Sequence, residues 1–221
     1  MSTHTGAGKK PTFRVCRDDD ADLGHLHDRS IVVIGYGKQG RAQALNLKES
    51  GARVTVASIR DSSAEKAEAD GFRVVPIEGS ARGADILMLL VPDEVQRSAY
   101  EHFLSPDLGP GPDALLRPRV QLHFGHVRPP REVDVVRVAP RMIGAIVRTA
   151  FERGAGVPAY VPVGRGSGQA HQTMLAIAEG IGCTRAGVVE MTFEDETVLD
   201  LFLEQTLMPI FSRSMLWGST C

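Results

Sequence analysis

This chain lacks the features that would tie it to a membrane, a nucleic acid or a disulfide scaffold. No apolar stretch approaches the roughly 18 residues of a membrane span, and Met1 to Lys10 has no apolar core of the kind a signal peptide carries. A cytoplasmic protein with no membrane partner is therefore expected. Aromatic residues make up only 5% of the chain, no basic stripe is interleaved with them, and the formal net charge is -2, so a nucleic-acid partner has no support. The three cysteines, Cys16, Cys183 and Cys221, are odd in number, widely spaced and without a C-x-x-C. That pattern excludes a disulfide framework and a zinc knuckle and leaves reduced, structural thiols.

What is present is a balanced composition, 43% hydrophobic and 24% charged over 221 residues, which fits one globular domain with a small appendage. The chain is organised around Ile31-Val32-Val33-Ile34 and the Gly35-Tyr36-Gly37-Lys38-Gln39-Gly40 that follows it. The β-branched run without a polar break reads as a strand buried on both faces of a parallel sheet. In the G-x-G-x-x-G, Gly35 suits the tight turn out of the strand, Gly37 lets a pyrophosphate approach the backbone, and Gly40 lets the next helix pack closely. Glycine-rich turns are common, so the motif alone is weak; its weight comes from the strand before it and the helix-forming Arg41 to Lys48 after it.

The remaining chain extends this unit. Residues 1–17 read as a mobile tail, 18–190 as a dinucleotide-binding domain and 191–221 as a C-terminal helical extension. The fold class expected is α/β, a Rossmann-type doubly wound and mainly parallel sheet. Arg53 to Ala57 is the second strand, and where NAD-binding units place an acidic residue at its end this chain has Ala57-Ser58, then Arg60-Asp61-Ser62-Ser63. A guanidinium and two hydroxyls suit a 2′-phosphate, so NADPH is favoured. The structural alternative is that Asp61 or Ser62 caps the helix through Ala69 and Arg60 is solvated. Phe72 to Val75 and the apolar Asp85 to Val91 read as further strands, and Val91-Pro92-Asp93 closes the latter where ligands lie in open parallel sheets. Pro92-Asp93-Glu94 reads equally well as a helix start. A fifth strand is expected near Gly109 to Pro118, a sixth over Val133 to Ala139 and a seventh over Val157 to Val163, with helices from Gly144 to Arg153 and Ser167 to Ile181.

From Thr192 the pattern becomes one long helix interrupted by Pro209, with Glu196, Asp200 and Glu204 spaced by four on one face. Mg²⁺ would relieve their repulsion; a solvated acidic face is the plainer reading. Leu199, Phe202, Leu203, Leu207, Ile210, Phe211, Leu216 and Trp217 give the same segment more apolar surface than a terminal helix easily covers, so a homodimer through it is expected.

Several segments occur together: Asp20-Ala21-Asp22-Leu23, Ile34-Gly35-Tyr36-Gly37 with Gln39-Gly40 and Ala42-Gln43-Ala44, Leu90 to Gln96, His123-Phe124-Gly125, Val138-Ala139-Pro140, Gly180-Ile181-Gly182 with Thr184 to Gly187, and Thr192-Phe193 with Glu204-Gln205. In that order they resemble ketol-acid reductoisomerase, an enzyme of branched-chain amino-acid synthesis. The resemblance implies an NADPH-binding first domain and a second, helical domain that completes a site with two Mg²⁺ ions. It places Arg60, Ser62 and Ser63 on the 2′-phosphate and Asp200 and Glu204 on two metal carboxylates. The departures are specific. Pro118 stands where the family has its active-site histidine, Arg141 where it has a lysine, and Cys221 falls within the first helix of the family's second domain. A reductase acting on a small carbonyl or imine compound without isomerisation is therefore expected. Arg141 would polarise or orient the acceptor, Asp200 or Glu204 would give a proton or hold a substrate amine, and His123 and His126 are further acids whose structural reading is the plainer one. Alternatives are a non-catalytic dinucleotide-binding protein, and a true ketol-acid reductoisomerase completed by another chain.

Overall fold

In the computed structural model the described residues are 13–108, 133–162, 168–202 and 206. Their centre is a parallel sheet of β2 (Ser30–Ile34), β3 (Arg53–Ala57), β4 (Arg73–Val75) and β5 (Ile86–Leu89) in the order β4-β3-β2-β5. Ile31 lies opposite Val54 on one side and Ile86 on the other. The unbroken apolar pattern follows from burial on both faces. Ile31, Val33, Ile86 and Met88 enter one core with Ala44, Leu47 and Ile177, while Val32, Ile34, Leu87 and Leu89 enter a second with Ile77, Tyr100 and Leu104. Each such side chain contributes about 1.5–3 kcal/mol by leaving water. Helix α1 (Lys38–Glu49) crosses from β2 to β3, and α2 (Ser62–Ala69) from β3 to β4.

The second sheet is mixed, in the order β1-β8-β7-β6, where β1 is Val15–Cys16, β6 Ala139–Pro140, β7 Ala159–Pro162 and β8 Val188–Met191. Only β7 and β8 run parallel; β1 pairs antiparallel with β8 and β6 with β7. The tail expected through residue 17 is thus ordered from Val15, because Cys16 is fully buried and Glu190 N donates to Arg14 O at 2.9 Å. The sixth strand is shorter than expected: Val133 to Val138 make no ladder, although Val136 and Val138 are buried. The expected fifth strand lies outside the described residues.

Helices α4 (Gly144–Glu152) and α5 (Gly168–Ile181) hold α1 in place. Asn46 Nδ2 donates to Ile181 O at 2.9 Å and Asn46 Oδ1 accepts from Arg148 at 2.9 Å, so a fully buried amide is satisfied from both neighbouring helices. Arg148 also pairs with Glu49 and Glu152. Helix α3 (Asp93–Ala99) runs on through a wider π-type turn, Tyr100–Leu104. Helix α6 (Phe193–Phe202) starts at Thr192, whose hydroxyl accepts from Asp195 N at 3.0 Å and donates to the Asp195 carboxylate at 2.7 Å. No described helix is long and apolar enough to cross a membrane.

Candidate dinucleotide-binding site

The three glycines of the β2–α1 loop meet three different demands. Gly35 sits at φ 92°, and a methyl group there would lie 2.8 Å from Val91 Cγ1. Any other residue would be strained and would collide with the end of β5. A methyl on Gly40 would lie 2.1 Å from the Gly35 carbonyl oxygen, so only hydrogen lets α1 pack this close to the strand. Gly37 differs from both. Its φ is -73°, it caps α1 without a side chain, and nothing lies within 4 Å of the position a methyl would take. The first helical bond beside it is Arg41 N to Gly37 O, 2.9 Å, which leaves the N–H groups of Lys38, Gln39 and Gly40 without helix acceptors. Backbone donors and the positive end of a helix dipole facing an open space suit a diphosphate. The residues present therefore fit a dinucleotide.

The other side chains of the motif point elsewhere. Tyr36 is buried; its ring meets Phe72 edge-on at 5.7 Å, and its hydroxyl donates to Asp70 Oδ2 at 2.8 Å. It can offer a ligand only backbone. Burial and the Asp70 carboxylate push its phenol well above the usual tyrosine range. Asp70 in turn is gripped by Arg41 through two bonds of 2.7 and 2.9 Å, which hold its carboxyl below the ordinary value. Gln39 donates from Nε2 to Met142 O at 2.8 Å and accepts from Gln43 at 3.0 Å, so its amide, too, is engaged within the fold. Lys38 is exposed.

At the end of β3, Arg60 and Ser62 are exposed and Ser63 is half-buried. Asp61 caps α2, accepting from Ser63 N at 2.9 Å and Ala64 N at 3.2 Å. The capping alternative is thus the one seen for Asp61, whose carboxylate takes the Ser63 and Ala64 amides. Beyond β5, Val91 and Asp93 are half-buried and Pro92 is exposed. Gln96 fastens this loop by donating to Val91 O at 3.1 Å and to Asp93 Oδ1 at 2.6 Å.

Arg141 follows β6; its N–H donates to Pro158 O at 2.9 Å, and its guanidinium lies 4.9 Å from the centre of the Tyr160 ring. The Met142 link to Gln39 brings this segment to the start of α1. Asp200 lies on α6 by its backbone, while Glu204, Pro118, His123 and His126 fall outside the described residues. Among the described residues no three His, Cys, Asp or Glu side chains form a metal-binding group.

Two connections were invisible in the sequence. One is the Gln39–Met142 bond, which spans 103 positions. The other joins Cys16 Sγ to Glu190 Oε1 at 3.2 Å and His171 Nε2 to the same oxygen at 2.7 Å. Burial and Glu190 push the Cys16 thiol up to about 12.

An all-parallel β4-β3-β2-β5 sheet with an open glycine cradle at the strand ends defines a nicotinamide-dinucleotide-binding protein of the Rossmann class. The family model described as acetohydroxy acid isomeroreductase, NADPH-binding domain, matches residues 25–187. The structure of an NADH-preferring ketol-acid reductoisomerase from an uncultured archean is 40% identical over 87% of this chain, with a TM-score of 0.83. The chain belongs to the ketol-acid (acetohydroxy acid) reductoisomerase family, and it spans 60% of the length of that relative. More distant structures share the fold alone. A semialdehyde dehydrogenase NAD-binding protein from Cupriavidus necator matches at 19% identity, 86% of this chain, 73% of its own and a TM-score of 0.73. An imine reductase from Myxococcus stipitatus matches at 15%, 85%, 64% and 0.62.

Proposed function

We propose that this chain is a cytoplasmic, homodimeric reductase that binds NADPH in the β2–α1 cradle and reduces a small carbonyl or imine compound without an isomerisation step. The observation that carries the reading is the open space at Gly37, the residue that caps the start of α1. Bound there, the dinucleotide supplies a hydride. The chain's own groups bind and orient. The amides of Lys38, Gln39 and Gly40 take the diphosphate, Arg60, Ser62 and Ser63 take the 2′-phosphate, and Val91, Pro92 and Asp93 border the nicotinamide side. Arg141, cationic and ineffective as an acid, orients the acceptor by its charge. Asp200 or Glu204 gives a proton or faces a substrate amine; a carboxylate beside an iminium favours the charged acceptor. The same pair is where Mg²⁺ would bind. Val198 and Phe202, both more than half exposed on α6, belong to the face proposed to meet the second chain.

NADH is the competitor that matters, because Asp61 already caps α2 and the 40% identical relative prefers NADH. The test is purified protein with NADPH or NADH and a panel of 2-keto acids, acetohydroxy acids and cyclic imines. Consumption of reduced cofactor with at least one acceptor is expected, and binding without turnover on any would favour a second reading. That reading, a dinucleotide-binding protein without catalysis, is supported by Pro118, which has no exchangeable proton where the family has its histidine. A third, isomeroreductase activity completed by another chain, predicts Mg²⁺-dependent conversion of acetolactate by the isolated chain or its complex.

A further inference from the structure

A side chain of the dinucleotide loop, Gln39, reaches the segment that carries Arg141. It is held by Arg141 N to Pro158 O at 2.9 Å, by Gln39 Nε2 to Met142 O at 2.8 Å, and by the packing of Gly144, where a methyl would lie 1.9 Å from Lys38 O. The first joins it to the second sheet, and the other two join it to the opening turn of α1. The Gln39 bond uses a side chain, as does the contact of the Arg141 guanidinium with the Tyr160 ring, and the Gln39 amide has no freedom to flip. Its oxygen accepts from Gln43, which is fully buried, so its nitrogen faces the Met142 carbonyl.

We infer that Gln39 is a positioning residue for the acceptor half of the site: it sets where Arg141 stands relative to a dinucleotide held by the neighbouring amides, without its side chain touching the dinucleotide. This rests on the role proposed above for Arg141. The reason is geometric. The dinucleotide is gripped by the backbone of the same turn whose Gln39 side chain grips Met142, so one rigid element references both reactants, and a small misplacement between them slows transfer strongly. Met142 and Ile143 are 44% and 63% exposed, so little apolar packing fixes the segment from its outer side.

The experiment measures two affinities in the full chain: reduced dinucleotide, from its fluorescence, and a 2-keto acid for the complex with oxidised dinucleotide, by calorimetry. Gln39→Leu fills the space but cannot donate; Gln39→Glu keeps the acceptor for Gln43 and sets an oxygen against Met142 O. Both variants are expected to bind the keto acid about tenfold more weakly and to lose more affinity for it than for the dinucleotide. Arg141→Gln should give the same loss, and adding Gln39→Leu to it should cost nothing further, since one residue acts through the other. Weakened dinucleotide with unchanged keto-acid binding, or additive losses in the double variant, would overturn the inference. No dinucleotide binding by the parent chain would overturn the proposed function itself, and dinucleotide binding without keto-acid uptake would remove the role of Arg141 and this inference with it.

Discussion

The two sheets of this chain differ in how they are held, and the difference separates what is general in it from what is particular. The β4-β3-β2-β5 sheet is all parallel, buried on both faces and closed by glycine packing in which one added carbon would meet backbone at 2.1 Å. The β1-β8-β7-β6 sheet is mixed, with two-residue strands at both edges, and polar links tie it: Cys16 and His171 to Glu190, and Arg14 to Asp20 at 3.1 Å. Steric fit at fixed backbone positions specifies the dinucleotide half. The other half carries Arg141 and adjoins α6, and Ala159, Val161 and Val188 of its strands are fully buried in the core they share with β2 and β5.

The contrast is sharpest between two glycines three residues apart. Gly40→Ala forces a carbon against the Gly35 carbonyl and should destabilise the fold by about 3 kcal/mol, measured by urea denaturation. Gly37→Ala has room and an ordinary φ, so it should leave the midpoint nearly unchanged while weakening dinucleotide binding. Equal destabilisation by both would mean that Gly37 does not face open space.

Asp70 links the loop to the surface of the first half. Arg41 holds its carboxyl below the ordinary value, so its stabilisation is fully present above the unfolded carboxyl value of about 3.9 and is lost as the pH falls through the lower folded one. Asp70→Asn should cost about 1–2 kcal/mol at neutral pH, the half-exposed Arg41 limiting the gain, and should flatten the stability profile in acid. Chemical denaturation at several pH values checks the slope. A smaller effect, about 1 kcal/mol, is expected of Asp61→Ala from the lost α2 cap. In the second half, Cys16 should stay unlabelled by a disulfide reagent at neutral pH, because its thiol is pushed up to about 12 and buried. Rapid labelling in the folded state would show that β1 opens from the sheet.

Legibility follows the same division. Strand β3 begins and ends where the pattern of Arg53 to Ala57 predicts, and α4 and α5 differ from expectation by a residue at an end, since local patterning and glycine chemistry fix them. β1 was read as tail because two residues, Val15 and Cys16, carry no periodicity, and their strand exists only through pairing with β8. Val133 to Val138 read as a strand because it is apolar, yet burial does not require a ladder. In the site, the steric roles of Gly35 and Gly40 were legible from spacing. The engagement of Tyr36 with Asp70 and of Gln39 with Met142 was not, because those partners are set by the tertiary fold.

The central claim is that the β2–α1 cradle and the start of α2 together hold NADPH. Titration of NADPH and NADH into the parent chain and into Arg60→Ala tests it most directly. The account predicts saturable binding of both by the parent, with NADPH about tenfold or more weaker in Arg60→Ala and NADH nearly unchanged, since one charge-assisted contact to the 2′-phosphate is lost. Equal weakening of the two cofactors would contradict the 2′-phosphate assignment, and saturable binding of neither would contradict the cradle.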